Sequence, residues 1–210
     1  MKTRSSITRR ATKPRTVRRL GIFGGSFDPP HIGHLIVAES AVEQLGLDKV
    51  VFVPAYYPPH KLGNQQSSAT DRLAMVRLIV KGNPRFAASD LEVSRKGISY
   101  TVDTLRSFKS RFENAELFFI IGGDSLSQFS TWKDPEEILN LAHLVVYPRP
   151  LQNLADVPMS LPRAEVLQGP MIEISSSDIR LKVSHDESIR YLVPDEVVRY
   201  VKVHKLYTHS

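Results

Sequence analysis

The segment Gly24-Gly25-Ser26-Phe27-Asp28-Pro29-Pro30-His31-Ile32-Gly33-His34 constrains the fold of this chain more than any other stretch. It follows a short apolar run, Leu20–Phe23, that reads as a buried strand ending in a tight turn. It precedes a pattern of Leu35, Ala38, Val42 and Leu45 at helical spacing, closed by Gly46 at a helix C′ position. Val50–Val53 is the next strand, closed by Pro54. A strand, a helix and a strand in this order predict a parallel pair with a right-handed crossover.

The alternation continues. Helices are predicted over Thr70–Lys81, Thr101–Arg111 and Pro135–Leu141, and strands over Phe86–Ala88, Leu91–Val93, Leu117–Ile121 and Leu144–Tyr147. Residues 148–170 are rich in proline and read as a loop, and Ser177–Val183 and Pro194–Val203 read as closing helices, the latter with Pro194 near its first turn. The expected fold is therefore α/β, a single doubly wound parallel sheet of Rossmann-like type. Ligands in such sheets sit beside the carboxyl ends of the strands.

In that position the glycine-rich segment suits phosphate. Gly24 and Gly25 let the backbone approach a bound group, and the following helix offers free N–H groups with a partial positive charge. His31 and His34, three apart, share one face and can donate to phosphate oxygens. Neither the dinucleotide fingerprint G-x-G-x-x-G nor the P-loop G-x-x-x-x-G-K-[ST] occurs.

Charge bears on partners only through its placement. The net charge is +6, yet residues 1–19 hold eight Lys or Arg and no acid. Removing those eight from the 28 basic residues leaves 20 against 22 acidic ones, so the body from residue 20 to 210 is nearly neutral. Residues 1–19 read as a disordered basic extension. An untargeted extension or misassigned start, a nucleic-acid or anionic-surface contact, and a transit peptide all fit that composition. Nucleic acid is thus expected of the tail alone. No run approaches the ~18 apolar residues of a membrane span. The chain has no cysteine, which excludes disulfides and thiolate metal sites and fits a reducing cytoplasm. The composition is compatible with a homo-oligomer.

A second constellation, Ile174-Ser175-Ser176-Ser177-Asp178-Ile179-Arg180, has the form of a capped helix start with an arginine one turn in. The serines can cap, and Arg180 can present a planar fork to phosphate. Together the two segments resemble the H-x-G-H and I-S-S-T-x-I-R motifs of the nucleotidylyltransferase superfamily, with Ser26 and Ser177 standing where threonine is usual. Class I aminoacyl-tRNA synthetases share the first motif but are much longer. The resemblance implies that Gly24, Gly25, Ser26, Phe27, His31, His34, Gly122, Asp124, Ser175, Ser176, Ser177 and Arg180 bind ATP. His31, His34, Lys61 and Arg180 would be its catalytic groups.

Further matches resemble the bacterial nicotinate-mononucleotide adenylyltransferases. These are Pro58-Pro59-His60-Lys61, Tyr100-Thr101-Val102-Asp103-Thr104-Leu105, Gly122-Gly123-Asp124 and the single tryptophan, Trp132. The likeness runs from residue 20 to about 181. It implies an acceptor site of Lys61, Thr101, Asp103 and Trp132, with the tryptophan stacked on the pyridine and backbone amides at Thr101 on the nicotinate carboxylate. From the residues alone, Lys61 also reads as a solvated lysine, Asp103 as a helix cap and Trp132 as a core residue. The implied reaction moves the adenylyl group of ATP onto nicotinate mononucleotide. Mg2+ would arrive on the ATP phosphates, with no protein metal ligands expected.

Overall fold

The computed structural model describes residues 16–59, 67–148 and 164–208. The expected Lys61 and residues 1–15 of the basic extension lie outside the described residues. The sheet has six strands, β1 (Arg19–Gly25), β2 (Lys49–Pro54), β3 (Phe86–Ala88), β4 (Glu116–Gly122), β5 (His143–Tyr147) and β6 (Ala164–Val166). They lie in the order β3-β2-β1-β4-β5-β6, and every pairing is parallel. This is the doubly wound α/β arrangement that the alternating pattern predicts.

Strand residues alternate between two cores, as a pleat with a period of two requires. Phe23, Val50, Phe52, Phe118, Ile120 and Val145 face one side. There they pack against α1 (Ile32–Leu45), α2 (Ala69–Val80) and, from the end of the chain, residues of α7 (Ser176–Ser184) and α8 (Asp195–Val203). Leu20, Ile22, Val51, Val53, Leu117, Phe119, Ile121 and Leu144 face the other side, against α4 (Thr101–Arg111) and α6 (Pro135–Leu141). Both faces are covered, which is why the strands read as continuous apolar runs rather than as alternating ones.

Several elements differ from the sequence reading. Leu91–Val93 is not a strand but the start of a short helix, α3 (Leu91–Arg95). Ser89 Oγ accepts from Leu91 N at 3.2 Å, and Ser94 N donates to Asp90 O at 2.7 Å, so a turn wins over the local apolar alternation. Within the expected 148–170 loop lies β6, a half-exposed edge strand whose alanine, glutamate and valine form no apolar run. Gly123 and Asp124 belong to a one-turn helix, α5 (Gly123–Leu126), and α8 starts one residue later than expected, with Pro194 as its N-cap beside the first turn. The sheet also begins one residue before the expected domain boundary. Arg19 is the first residue of β1, where its side chain bonds Leu45 O at 2.9 Å and Glu116 at 2.7 Å.

Candidate active site

Strand order reverses direction at β1, whose neighbours are β2 and β4, and a crevice opens there beside the carboxyl ends of β1 and β4. Two cavities occupy it, of about 900 Å³ and about 220 Å³. They share Gly24, Gly25, Ser26, Gly122, Ser125 and Gln128 as a common floor.

The larger cavity is bounded by the glycine-rich segment and the start of α7. A Cβ at Gly24 would come 3.3 Å from the Phe119 ring, and one at Gly25 would come 3.1 Å from the Phe27 ring, so neither position has room to spare. Phe27 itself takes a left-handed conformation, φ 52, which costs a non-glycine residue about 1 kcal/mol or more. Its buried ring recovers contact with Phe23, His34 and Phe52. His31 is the N-cap of α1, and a Cβ on Gly33 would fall 3.0 Å from its ring. The two histidine rings lie 3.7 Å apart. The backbone N–H of His31 donates to Nδ1 of His34 at 3.1 Å. An Nδ1 that accepts cannot carry the proton, so the neutral ring is the Nε2–H tautomer, a donor at its far edge.

Helix α7 is hydrogen-bonded directly to this segment. Ser175 Oγ accepts from Asp178 N at 3.1 Å and so caps the helix. Ser176 Oγ donates to Pro29 O at 2.8 Å, and Arg180 donates to Asp28 O at 2.8 Å and to Ser177 Oγ at 3.2 Å. The two motifs, about 150 residues apart in sequence, therefore form one wall. Gly122 and Asp124 line the same cavity, with Asp124 exposed.

Beneath the wall lies a buried polar network that the sequence reading missed. Asp28 is 3% exposed and accepts from Tyr207 Oη at 2.7 Å and from Ser67 Oγ. Burial and the neighbouring Asp28 carboxylate push the Tyr207 phenol well above its ordinary range. Arg72, 1% exposed, donates to Ser26 O at 2.8 Å and to Tyr56 O at 3.0 Å, so it ties the loop after β1 to the loop after β2. Burial lowers its pKa, opposed by Asp28, Tyr207 and Glu92. Glu92 in turn accepts from Thr104 Oγ1 at 2.5 Å. Burial raises its carboxyl pKa, with the hydrogen bonds from Thr104 and Ser99 pulling the other way. A buried charge read from sequence has no signal of its own; in Arg72 only its place among the apolar residues of α2 hints at it.

The smaller cavity holds Thr101, at the first position of α4, and Trp132, whose ring contacts Phe119 and Phe129 with centroids 6.0 and 5.6 Å away. Pro58 and Pro59, which lead toward Lys61, line it as well. Asp103 is not among the residues lining either cavity, nor is it the cap of its helix, a place taken by Tyr100. Its carboxylate pairs with Lys133 at 3.2 Å, and Lys133 does line the smaller cavity. At about 220 Å³ this space is below the ~300 Å³ of pockets that enclose a whole small ligand. It suits the ring end of a ligand whose remainder lies on the shared floor. Among the described residues, no three His, Cys, Asp or Glu side chains gather where they could hold a metal ion, and no helix is long and apolar enough to cross a membrane.

Comparison with known proteins agrees with this geometry. The profile of the family described as cytidylyltransferase-like matches residues 22–182. A protein of Thermomicrobium roseum is 47% identical over 90% of this chain and 91% of its own, and carries the name "Probable nicotinate-nucleotide adenylyltransferase". One of Desulfitobacterium hafniense (strain DSM 10664 / DCB-2), with the same name, is 42% identical over 90% of this chain and 96% of its own. The solved structure of the Plasmodium falciparum nicotinic acid mononucleotide adenylyltransferase complexed with NaAD superposes with a TM-score of 0.78. It covers 90% of this chain and 97% of that one at 20% identity, a likeness of fold.

Proposed function

The chain belongs to the cytidylyltransferase-like family and, within it, to the nicotinate-nucleotide adenylyltransferases, and on that premise we infer that it transfers the adenylyl group of ATP to nicotinate mononucleotide, giving deamido-NAD and pyrophosphate. The observation that carries the reading is the shared floor: one cavity bounded by His31, His34, Ser175–Ser177 and Arg180 meets another bounded by Thr101 and Trp132 at Gly24–Ser26 and Gly122. Two ligands seated there meet at the floor.

In this reading ATP occupies the larger cavity, its triphosphate between the starts of α1 and α7. Gly24, Gly25, Ser26 and Phe27 form the turn beneath it, and Gly122 and Asp124 take the nucleoside side. The acceptor ring stacks on Trp132 near the start of α4, and Lys61 and Thr101 complete the acceptor site, with Asp103 behind it as the partner of Lys133. The acceptor phosphate is largely ionised at neutral pH, its second pKa being ~6. One of its oxygens attacks the α-phosphorus of ATP. The new P–O bond forms as the bond to the β-phosphate bridging oxygen breaks, and pyrophosphate leaves with that electron pair. No strong base is needed. The chain's task is to align two anions and to stabilise charge on the leaving group. His34 Nε2–H, the Arg180 fork and the amides of two helix starts supply donors for it, with His31 and Lys61 as further partners. Mg2+ enters as the ATP complex, part of the substrate, and supplies charge neutralisation on the phosphates. We place this activity in the cytoplasm, in keeping with a chain that has no cysteine.

The test offers the purified protein ATP and Mg2+ with nicotinate mononucleotide, nicotinamide mononucleotide or phosphopantetheine in turn and follows pyrophosphate release. Release is expected with nicotinate mononucleotide. Silence with both pyridine mononucleotides overturns the reading.

A further inference from the structure

Building on the acceptor site just described, we propose that Lys133 is a specificity residue, whose ammonium group favours an acceptor ring bearing a carboxylate over one bearing a neutral amide. Among the described residues that line the smaller cavity, Lys133 is the one cationic side chain. The one acidic side chain there, Glu92, is buried in the wall, tied to Thr104 and neighboured by Arg72 and Arg95, and burial favours its neutral form. A ligand carboxylate in this pocket therefore finds its side-chain cation in Lys133.

Its side chain is held rather than loose. Nζ lies 4.6 Å from the centre of the Tyr100 ring and 3.2 Å from Asp103 Oδ2, and Tyr100 and Thr101 line the same cavity. Asp103 also pairs with Arg106 at 3.4 Å, so it keeps a cationic neighbour when Lys133 turns toward a ligand. The start of α4 adds to the effect. Tyr100 gives no side-chain cap, and the first N–H to bond back along the helix is that of Thr104, to Tyr100 O at 3.3 Å. The positive end of an eleven-residue helix and a lysine thus flank one edge of the ring pocket. A nicotinate carboxylate placed there faces both, whereas a nicotinamide amide gains little from the lysine.

Lys133 is partly exposed, with 42% of its side chain accessible, so its substitution leaves the core intact and the effect is modest. The experiment measures calorimetric Kd values for nicotinate mononucleotide and nicotinamide mononucleotide on wild type, K133M and K133R. Quenching of Trp132, the chain's only tryptophan, gives a second signal. In K133M the Kd for nicotinate mononucleotide rises about three- to fivefold and that for nicotinamide mononucleotide changes by less than about twofold. K133R keeps the preference, and raised salt shrinks the gap between wild type and K133M. Equal weakening of both ligands, or of neither, overturns the proposal while leaving the adenylyl-transfer reading in place. Failure of the wild type to bind either ligand overturns that reading and the proposal with it.

Discussion

His34 has one acceptor and one donor in its neutral ring, and the fold has already engaged the acceptor with the His31 N–H. The ring is therefore set as a donor before any ligand arrives, which avoids a reorganisation cost during reaction. His34→Ala is expected to lower kcat by at least about tenfold, a loss of about 1.4 kcal/mol of transition-state stabilisation, with the far-ultraviolet spectrum unchanged. Near-normal turnover would sink the role. Glu92 gives a second prediction of a different kind. Its folded pKa is raised above the ordinary 4.5 by burial, so the folded state holds the proton more tightly than the unfolded chain. The stability it contributes is full below that ordinary value and is lost as pH rises through the raised one. Glu92→Gln removes this term, so its Tm should fall less than that of the wild type as the pH is raised from below the ordinary carboxylate value. A parallel fall in both proteins counts against a raised carboxyl. The histidines and Arg180 were legible in the sequence because their neighbours spell a pattern; Glu92 and Arg72 were not, since burial of a charge depends on what packs over it.

Helix α1 shows how far local sequence reaches at the scale of an element. Its apolar spacing announced the helix and Gly46 its end, and Gly46 does take the left-handed C-cap conformation at φ 60. A Cβ there meets nothing within 4 Å, so the cost of Gly46→Ala is backbone strain alone, about 1 kcal/mol. Thermal unfolding should show Tm lowered by about 2–4 °C in a chain of this size, with kcat unchanged. Elements with weaker local signals were misread. The alternation of Leu91 and Val93 suggested a strand, yet the turn bond from Leu91 N to Ser89 Oγ and burial of Glu92 accompany a helix there. β6 has no apolar run to announce it and exists because the edge of β5 offers it a ladder, Leu144 to Ala164 through Val146 to Val166.

At the scale of the molecule, the two cavities on either side of the shared floor predict separable substrate effects. Trp132→Ala should raise KM for the acceptor about five- to tenfold, the worth of one lost aromatic stack, while KM for ATP moves by less than about twofold. Steady-state kinetics with each substrate varied in turn would show it, and an equal rise in both constants would contradict a divided site. The sequence by itself determined the alternating α/β order, the turn after β1, the capped start of α7 and hence the phosphate chemistry. Each of these is written in residues close along the chain, where hydrogen bonds and helical period act over a few positions. Tertiary structure alone decided the rest. It brought Tyr207 to Asp28 across 179 positions, set Arg72 between the loops of β1 and β2, and turned Asp103 away from both cavities toward Lys133. Those contacts depend on which surfaces meet when the helices close on the sheet, and no local spacing records that.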